Sequence, residues 1–210
     1  EIDRIDKELE TIEGSQVVEI SAETQRILDE IEFPSSPVID SVTPLDDCQR
    51  ATGKRPDYTI VVTTTLLDSE EKSQVKAWAE KYGAIYSSDY NPSVTHVIAK
   101  TGEKPRLAVR SMKTMQAIVN GNWLLSTQWI QACFKSGGYC REEPFELEGD
   151  QYSDDEGPRR SRMSHRNNES KLFDGYQFYL FGSFGSPSKP ELESLLGSAG
   201  AKIIESIEGL

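Results

Sequence analysis

The sequence is poor in cysteine and histidine and has no long apolar run, and each shortage removes a class of protein. Three cysteines, Cys48, Cys133 and Cys140, occur in 210 residues without a Cys-x-x-Cys pair, which speaks against a zinc module and a disulfide framework. Cys133 lies among apolar neighbours, where a buried thiol is expected, and the pattern fits a reducing compartment. No stretch approaches the roughly 18 apolar residues of a membrane span, and Glu1 to Glu13 alternates charge with isoleucine, unlike a signal or transit peptide. No membrane partner is expected. Of the two histidines, His96 falls in a strand-like segment and reads as structural, and His165 has no nucleophile near it in sequence. No Walker or dinucleotide glycine motif opens a helix, and Gly53-Lys54 lacks the upstream glycine loop. The expectation is a non-enzymatic chain with no metal and no cofactor.

What is present is an apolar fraction of 36%, enough for a packed core, and a net charge of −12. The charge is uneven: −9 over residues 1–57, +3 over 58–140 and −6 over 141–210. The positive middle block can hold an anionic ligand despite its acidic flanks.

Ile2, Ile5, Leu9 and Ile12 stand at heptad spacing and predict a helix end, which either packs on a partner or is solvated. Pro34, Pro37, Pro44 and Pro56 mark a linker, so residues 1–57 are expected as a helical segment and proline-rich linker. From Tyr58 short strands alternate with helices, the pattern of a parallel sheet covered on both faces. Strands are expected at Thr59 to Val62, Ala84 to Tyr86, His96 to Ala99 and Trp123 to Leu125. A first helix follows the capping box Asp68-x-x-Glu71, buries Val75, Trp78, Ala79 and Tyr82, and stops at Gly83. A second, about Arg106 to Val119, turns Met112, Met115 and Val119 inward. A third, capped by Ser126, buries Trp129, Ile130 and Cys133. The opening of this programme repeats: Tyr58 to Gly83 is echoed by Tyr176 to Gly200, and then the sequence stops. The chain reads as a piece of something longer.

Gly83-Ala84, Thr95-His96-Val97, Asn120-Gly121-Asn122-Trp123 and Trp129-x-x-x-Cys133 resemble the marks of the tandem BRCT repeat family. Glu156-Gly-Pro-Arg-Arg-Ser-Arg162 with Lys171-Leu-Phe-Asp-Gly-Tyr-Gln-Phe-Tyr-Leu-Phe-Gly182 resembles the inter-repeat linker and second-repeat start of its RING-bearing members. The resemblance implies an α/β fold: a BRCT repeat with a four-stranded parallel sheet flanked by helices at 58–145, a linker at 146–170, and the N-terminal part of a second repeat at 171–210. It also implies a nuclear recognition module of the DNA-damage response within a longer RING-type ubiquitin ligase complex. The heterodimer partner would bind through regions outside this chain.

Arg106, Arg110 and Lys113, spaced i, i+4, i+7, predict a basic stripe on the second helix. By resemblance, Lys113 would pair with a phosphate and Arg110 would hold ligand backbone. The hydroxyl that completes the pocket is Thr64 or Thr65, with Thr64 favoured, since Thr63-Thr64-Thr65 replaces the family's Ser-Gly. Poly(ADP-ribose) is a second possible ligand of such a pocket. Arg159, Arg160, Arg162 and Arg166 form a linker cluster suited to an acidic histone patch on a nucleosome or to DNA phosphate. The competing reading is an assembly module with a vestigial pocket.

Overall fold

The protein is described by a computed structural model over residues 55–206; the helix expected at Ile2 to Ile12 and most of the proline-rich linker lie outside these residues. The β-branched run Val61–Thr65 forms β1, buried along its whole length. Asp68 and Glu71 close both arms of the capping box, and α1 runs Ser69–Tyr82 to Gly83, whose φ of 66° supplies the left-handed stop. β2 (Ile85–Tyr86) and β3 (His96–Ala99) follow, then β4 (Leu107–Ala108), α2 (Met112–Val119), β5 (Trp123–Ser126) and α3 (Gln128–Ser136).

The main sheet is parallel in the order β2-β1-β3-β5. Strand alternation divides the core between its two faces. Val62, Ile98 and Leu125 join Val75, Trp78, Trp129, Ile130 and Cys133 on the face covered by α1 and α3. Val61, Val97, Ala99 and Leu124 meet Ala117 of α2 on the other.

Several expectations are corrected. The first strand lies two to three residues later than expected, because its pairing with β3 runs from Val62 to Thr65 while Tyr58 is half exposed. The third helix starts beyond Ser126, which ends β5. The second helix does not begin at Arg106: Leu107–Ala108 pairs in parallel with β6 (Gly149–Asp150), and Ser111 then caps α2 by accepting from Thr114 N–H. The late start changes the inward face, so Thr114 and Ala117 are buried whereas Met112, Met115 and Val119 are only half-buried. Cys133 is the buried free thiol expected of it.

A 3-10 turn at Glu143–Phe145 and β6 lead into α4 (Gly157–Arg166). β7 (Gln177–Tyr179), α5 (Lys189–Ser198) and β8 (Lys202–Ile204) then repeat the opening unit. β7 and β8 pair in parallel as β1 and β2 do. The bond from Lys202 N–H to Tyr176 O matches that from Ile85 N–H to Ile60 O, so Tyr176 corresponds to Ile60 rather than to Tyr58. α5 packs against α2 of the first unit.

Trp129 is the centre of the larger core. It is fully buried, donates through Nε1 to Cys140 O at 3.0 Å, stacks on His96 and lies 4.6 Å from Trp78 between ring centres. Trp129→Ala is expected to lower unfolding free energy by about 3–5 kcal/mol, read from denaturant melts; an unchanged midpoint would contradict the packing.

Candidate functional site

A parallel sheet gathers the C-terminal ends of its strands on one edge, where the following helices begin. Here β1 ends between the start of α1 and the capped start of α2, and a cavity of about 500 Å³ opens there. Thr64, Thr65 and Leu66 form its base, Lys72 enters from α1, Tyr86 and Ser88 from β2 and its loop, and Ser111, Met112 and Lys113 from α2. Among the described residues no carboxylate lines it.

Strand alternation settles how the two threonines differ. Thr64 turns toward β2, with its hydroxyl 3.1 Å from the Tyr86 hydroxyl. Thr65 turns toward α2, with its hydroxyl 2.7 Å from that of Ser111, which is itself held by Thr114 N–H and 2.9 Å from the Thr114 hydroxyl. Thr65 is therefore tied into the helix cap. Leu66 makes the turn out of β1 at a φ of 58°, a left-handed conformation that a non-glycine side chain adopts only when its surroundings impose it. The Lys113 ammonium donates to Ser88 O at 2.5 Å and Thr64 O at 3.2 Å. An ammonium has three N–H donors, so one remains for a ligand.

Thr64, Thr65 and Lys113 thus share one cavity, but Arg106 and Arg110 do not join them in a helical stripe, because both precede Ser111. Arg106 donates to Glu148 at 2.5 Å. Arg110 grips Asp150 through Nε and Nη2 at 2.5 and 2.9 Å, with the Tyr152 ring 4.4 Å away. Burial alone would raise the Asp150 carboxyl, yet the Arg110 guanidinium and two backbone N–H groups hold it below its ordinary range. Sequence reasoning missed Lys72, Tyr86, Ser88 and Ser111. Only the last had a local signal, the Ser111-x-x-Thr114 spacing of a helix cap.

The linker arginines also separate. Arg162 is almost buried: it makes a bidentate pair with Glu146, both bonds 2.7 Å, and lies 3.5 Å over the Trp123 ring. Nearby, the Ser161 hydroxyl donates to Ile118 O, and His165 Nε2 lies 2.9 Å from Val119 O. A side chain at Gly121 would meet the His165 ring at 2.7 Å, so the Asn120-Gly121 turn needs glycine for the approach of α4 as well as for its φ of 63°. Arg162 is therefore a fastener of α4. Arg159 and Arg160 are half exposed and pair with the adjacent Glu156 and Asp155, and Arg166 is exposed.

Glu142, His96 and Thr95 form a chain with the spacing of a charge relay, His96 Nε2 lying 3.2 Å from Glu142 and Nδ1 2.8 Å from the Thr95 hydroxyl. His96 is fully buried, and that hydroxyl also accepts from Val61 N–H, so the chain braces β1 against β3. Burial pushes the His96 ring below the usual imidazole range against the pull of Glu142, whose own carboxylate accepts from Tyr139.

Residues 56–134 match the family model described as the BRCA1 C Terminus (BRCT) domain. Residues 56–134 are a BRCT domain. The chain is 35% identical over 151 residues to BRCA1-associated RING domain protein 1 of Arabidopsis thaliana, covering 72% of this chain and 21% of that protein. It is 37% identical over 144 residues to the protein BREAST CANCER SUSCEPTIBILITY 1 homolog of the same plant, covering 69% of this chain and 15% of the relative. The chain thus spans about a fifth of the length of these relatives or less. The solved BRCT5-BRCT6 domains of S. pombe Brc1 superpose with a TM-score of 0.50 at 23% identity, covering 70% of this chain and 66% of that one, a likeness that concerns the fold.

Removing one partner of a buried ion pair strands the other charge. Arg162→Ala is expected to cost about 3–5 kcal/mol in a denaturant melt, while Arg166→Ala leaves the midpoint within experimental error. Equal, negligible effects would refute the fastening role of Arg162.

Proposed function

We propose that this chain is a non-enzymatic recognition module of nuclear DNA repair that binds a phosphorylated protein at the cavity between β1, α1 and α2. One observation carries the reading: a lysine in the first turn of α2, held by two backbone carbonyls, shares with several hydroxyls a cavity lined by no carboxylate among the described residues. A phosphate brings a charge of about −1.5 to −2 and needs such donors. Lys113 offers its remaining N–H, Thr64 its hydroxyl, and the first turn of α2 its free backbone N–H groups. Thr65 and Ser111 hold that turn in place. Arg110 acts at one remove, its grip on Asp150 fixing the segment that enters Ser111.

The kinship with RING-bearing proteins supports a place in a longer ubiquitin ligase complex acting on chromatin. Arg159, Arg160 and Arg166 then offer a second contact for an acidic surface such as a ubiquitylated nucleosome. Poly(ADP-ribose) would use the same cavity through its phosphates.

Lys113→Met keeps the aliphatic stem and removes the charge. Calorimetry with a phosphorylated partner is expected to show a loss of about 1.5–3 kcal/mol, the worth of a hydrogen bond to a charged group, with folding intact. Unchanged affinity would mean that the cavity is vestigial.

A further inference from the structure

We infer that Ser153, in the loop between β6 and α4, is a phosphorylation site for a serine kinase that reads acidic residues after the acceptor, and that the phosphate then draws Arg160 of α4 away from Asp155. Ser153 is followed by Asp154, Asp155 and Glu156. It is exposed, as are Gln151 and Tyr152 before it and Asp154 and Asp155 after it. Its backbone is held by reciprocal bonds with Asp150, its N–H donating to Asp150 O at 3.1 Å and its O accepting from Asp150 N–H at 2.8 Å. Its hydroxyl donates within the loop, to Asp155 Oδ1 at 2.8 Å.

The acids around Ser153 fall into two groups, and the division sets a direction. Those before it are spent inside the fold: Glu146 on Arg162, Glu148 on Arg106 and Asp150 on Arg110, the first and last nearly buried. Those after it stay at the surface. The side chains of Asp154, Asp155 and Glu156 are 68%, 63% and 43% exposed, in ion pairs of 3.7, 3.1 and 3.8 Å with Lys104, Arg160 and Arg159. Exposed pairs of this kind are worth little, so the basic groove of a kinase can take these acids over. Ser69 differs. It too precedes two acids, Glu70 and Glu71, but it opens α1, and Glu71 accepts from Asp68 N–H and pairs with Lys100. A kinase would have to unwind a capped helix there, whereas Ser153 sits in a surface loop.

The transfer uses a nucleoside triphosphate as donor. Ser153 Oγ bonds to the γ-phosphorus, the bond from that phosphorus to the bridging oxygen breaks, the hydroxyl proton passes to the kinase's base, and the diphosphate leaves. The product carries a charge of about −1.5 to −2, and its ester oxygen no longer donates. Asp155 therefore loses the bond that does most to hold its carboxyl below the ordinary range, the pull of Arg160 being smaller, and faces an anion instead. Arg160 Nη2 lies 3.1 Å from the other oxygen of the same carboxylate. The guanidinium is thus a side-chain swing from the phosphate, which it can grip through two N–H groups. The positive end of α4, which begins at Gly157, favours the same charge.

The test treats the full 210-residue chain with a casein-kinase-type, acid-directed serine kinase and labelled ATP, and maps occupancy by peptide mass spectrometry. Ser153 is expected to be the most highly occupied residue. Another serine or threonine in the lead, or no incorporation, would overturn the site. Asp154→Asn combined with Glu156→Gln should slow labelling of Ser153 by about fivefold, the worth of two exposed ion pairs; an unchanged rate would overturn recognition through the acids. Nitrogen-resolved spectra of the phosphorylated chain should show the Arg160 guanidinium shifted, with no such shift in kinase-treated Ser153→Ala, which keeps the backbone bonds of the loop. Shifts confined to residues 151–155 would overturn the capture of Arg160.

Discussion

A strand buried on both faces in a parallel sheet has only its ends to offer to a ligand, and this constraint on β1 organises the rest of the molecule. Val61 and Val62 anchor it to opposite cores, so its direction is fixed, and its last residues emerge between two helix starts. The change from Val62 to Thr63-Thr64-Thr65 keeps the β-branched character that suits a strand. At a strand end it supplies hydroxyls that a helix cap and a tyrosine can orient. The cavity is the space left where β1, α1 and α2 fail to meet. Lys113 spans its lip because α2 begins at Met112 and not a turn and a half earlier.

The late start of α2 depends in turn on a pairing distant in sequence. β4 joins β6, and Arg106 and Arg110 reach across to Glu148 and Asp150 on the same side. The arginines that sequence spacing assigned to a ligand-facing stripe are thereby used as internal braces. The same economy applies at α4, where Arg162 is enclosed between Glu146 and Trp123 while its neighbours stay at the surface.

Much of the fold was legible because it is written locally. The Asp68–Glu71 box and Gly83 delimit α1 to the residue, and the short run His96 to Ala99 gives β3. The start of α2 was not legible, because the apolar pattern around Leu107 and Ala108 suits a helix as well as a strand, and its choice is made by Gly149 and Asp150 some forty residues later. The candidate site was legible in Thr64, Thr65 and Lys113, which sit on elements with clear signals. Lys72 and Tyr86 were not, since a lysine on a solvated helix and an aromatic residue on a two-residue strand have no local mark of sharing a cavity. Arg162 shows the opposite failure: its charge was visible, and the tryptophan face and buried glutamate that capture it were not.

The central claim is that the end of β1 and the start of α2 form the anion site. Amide-resolved spectra of the full chain titrated with inorganic phosphate, against chloride at matched ionic strength, test it most directly. The account predicts saturable shifts largest at Thr65, Leu66, Met112 and Lys113. Shifts confined to Arg159 through Arg166, or none at all, would contradict it.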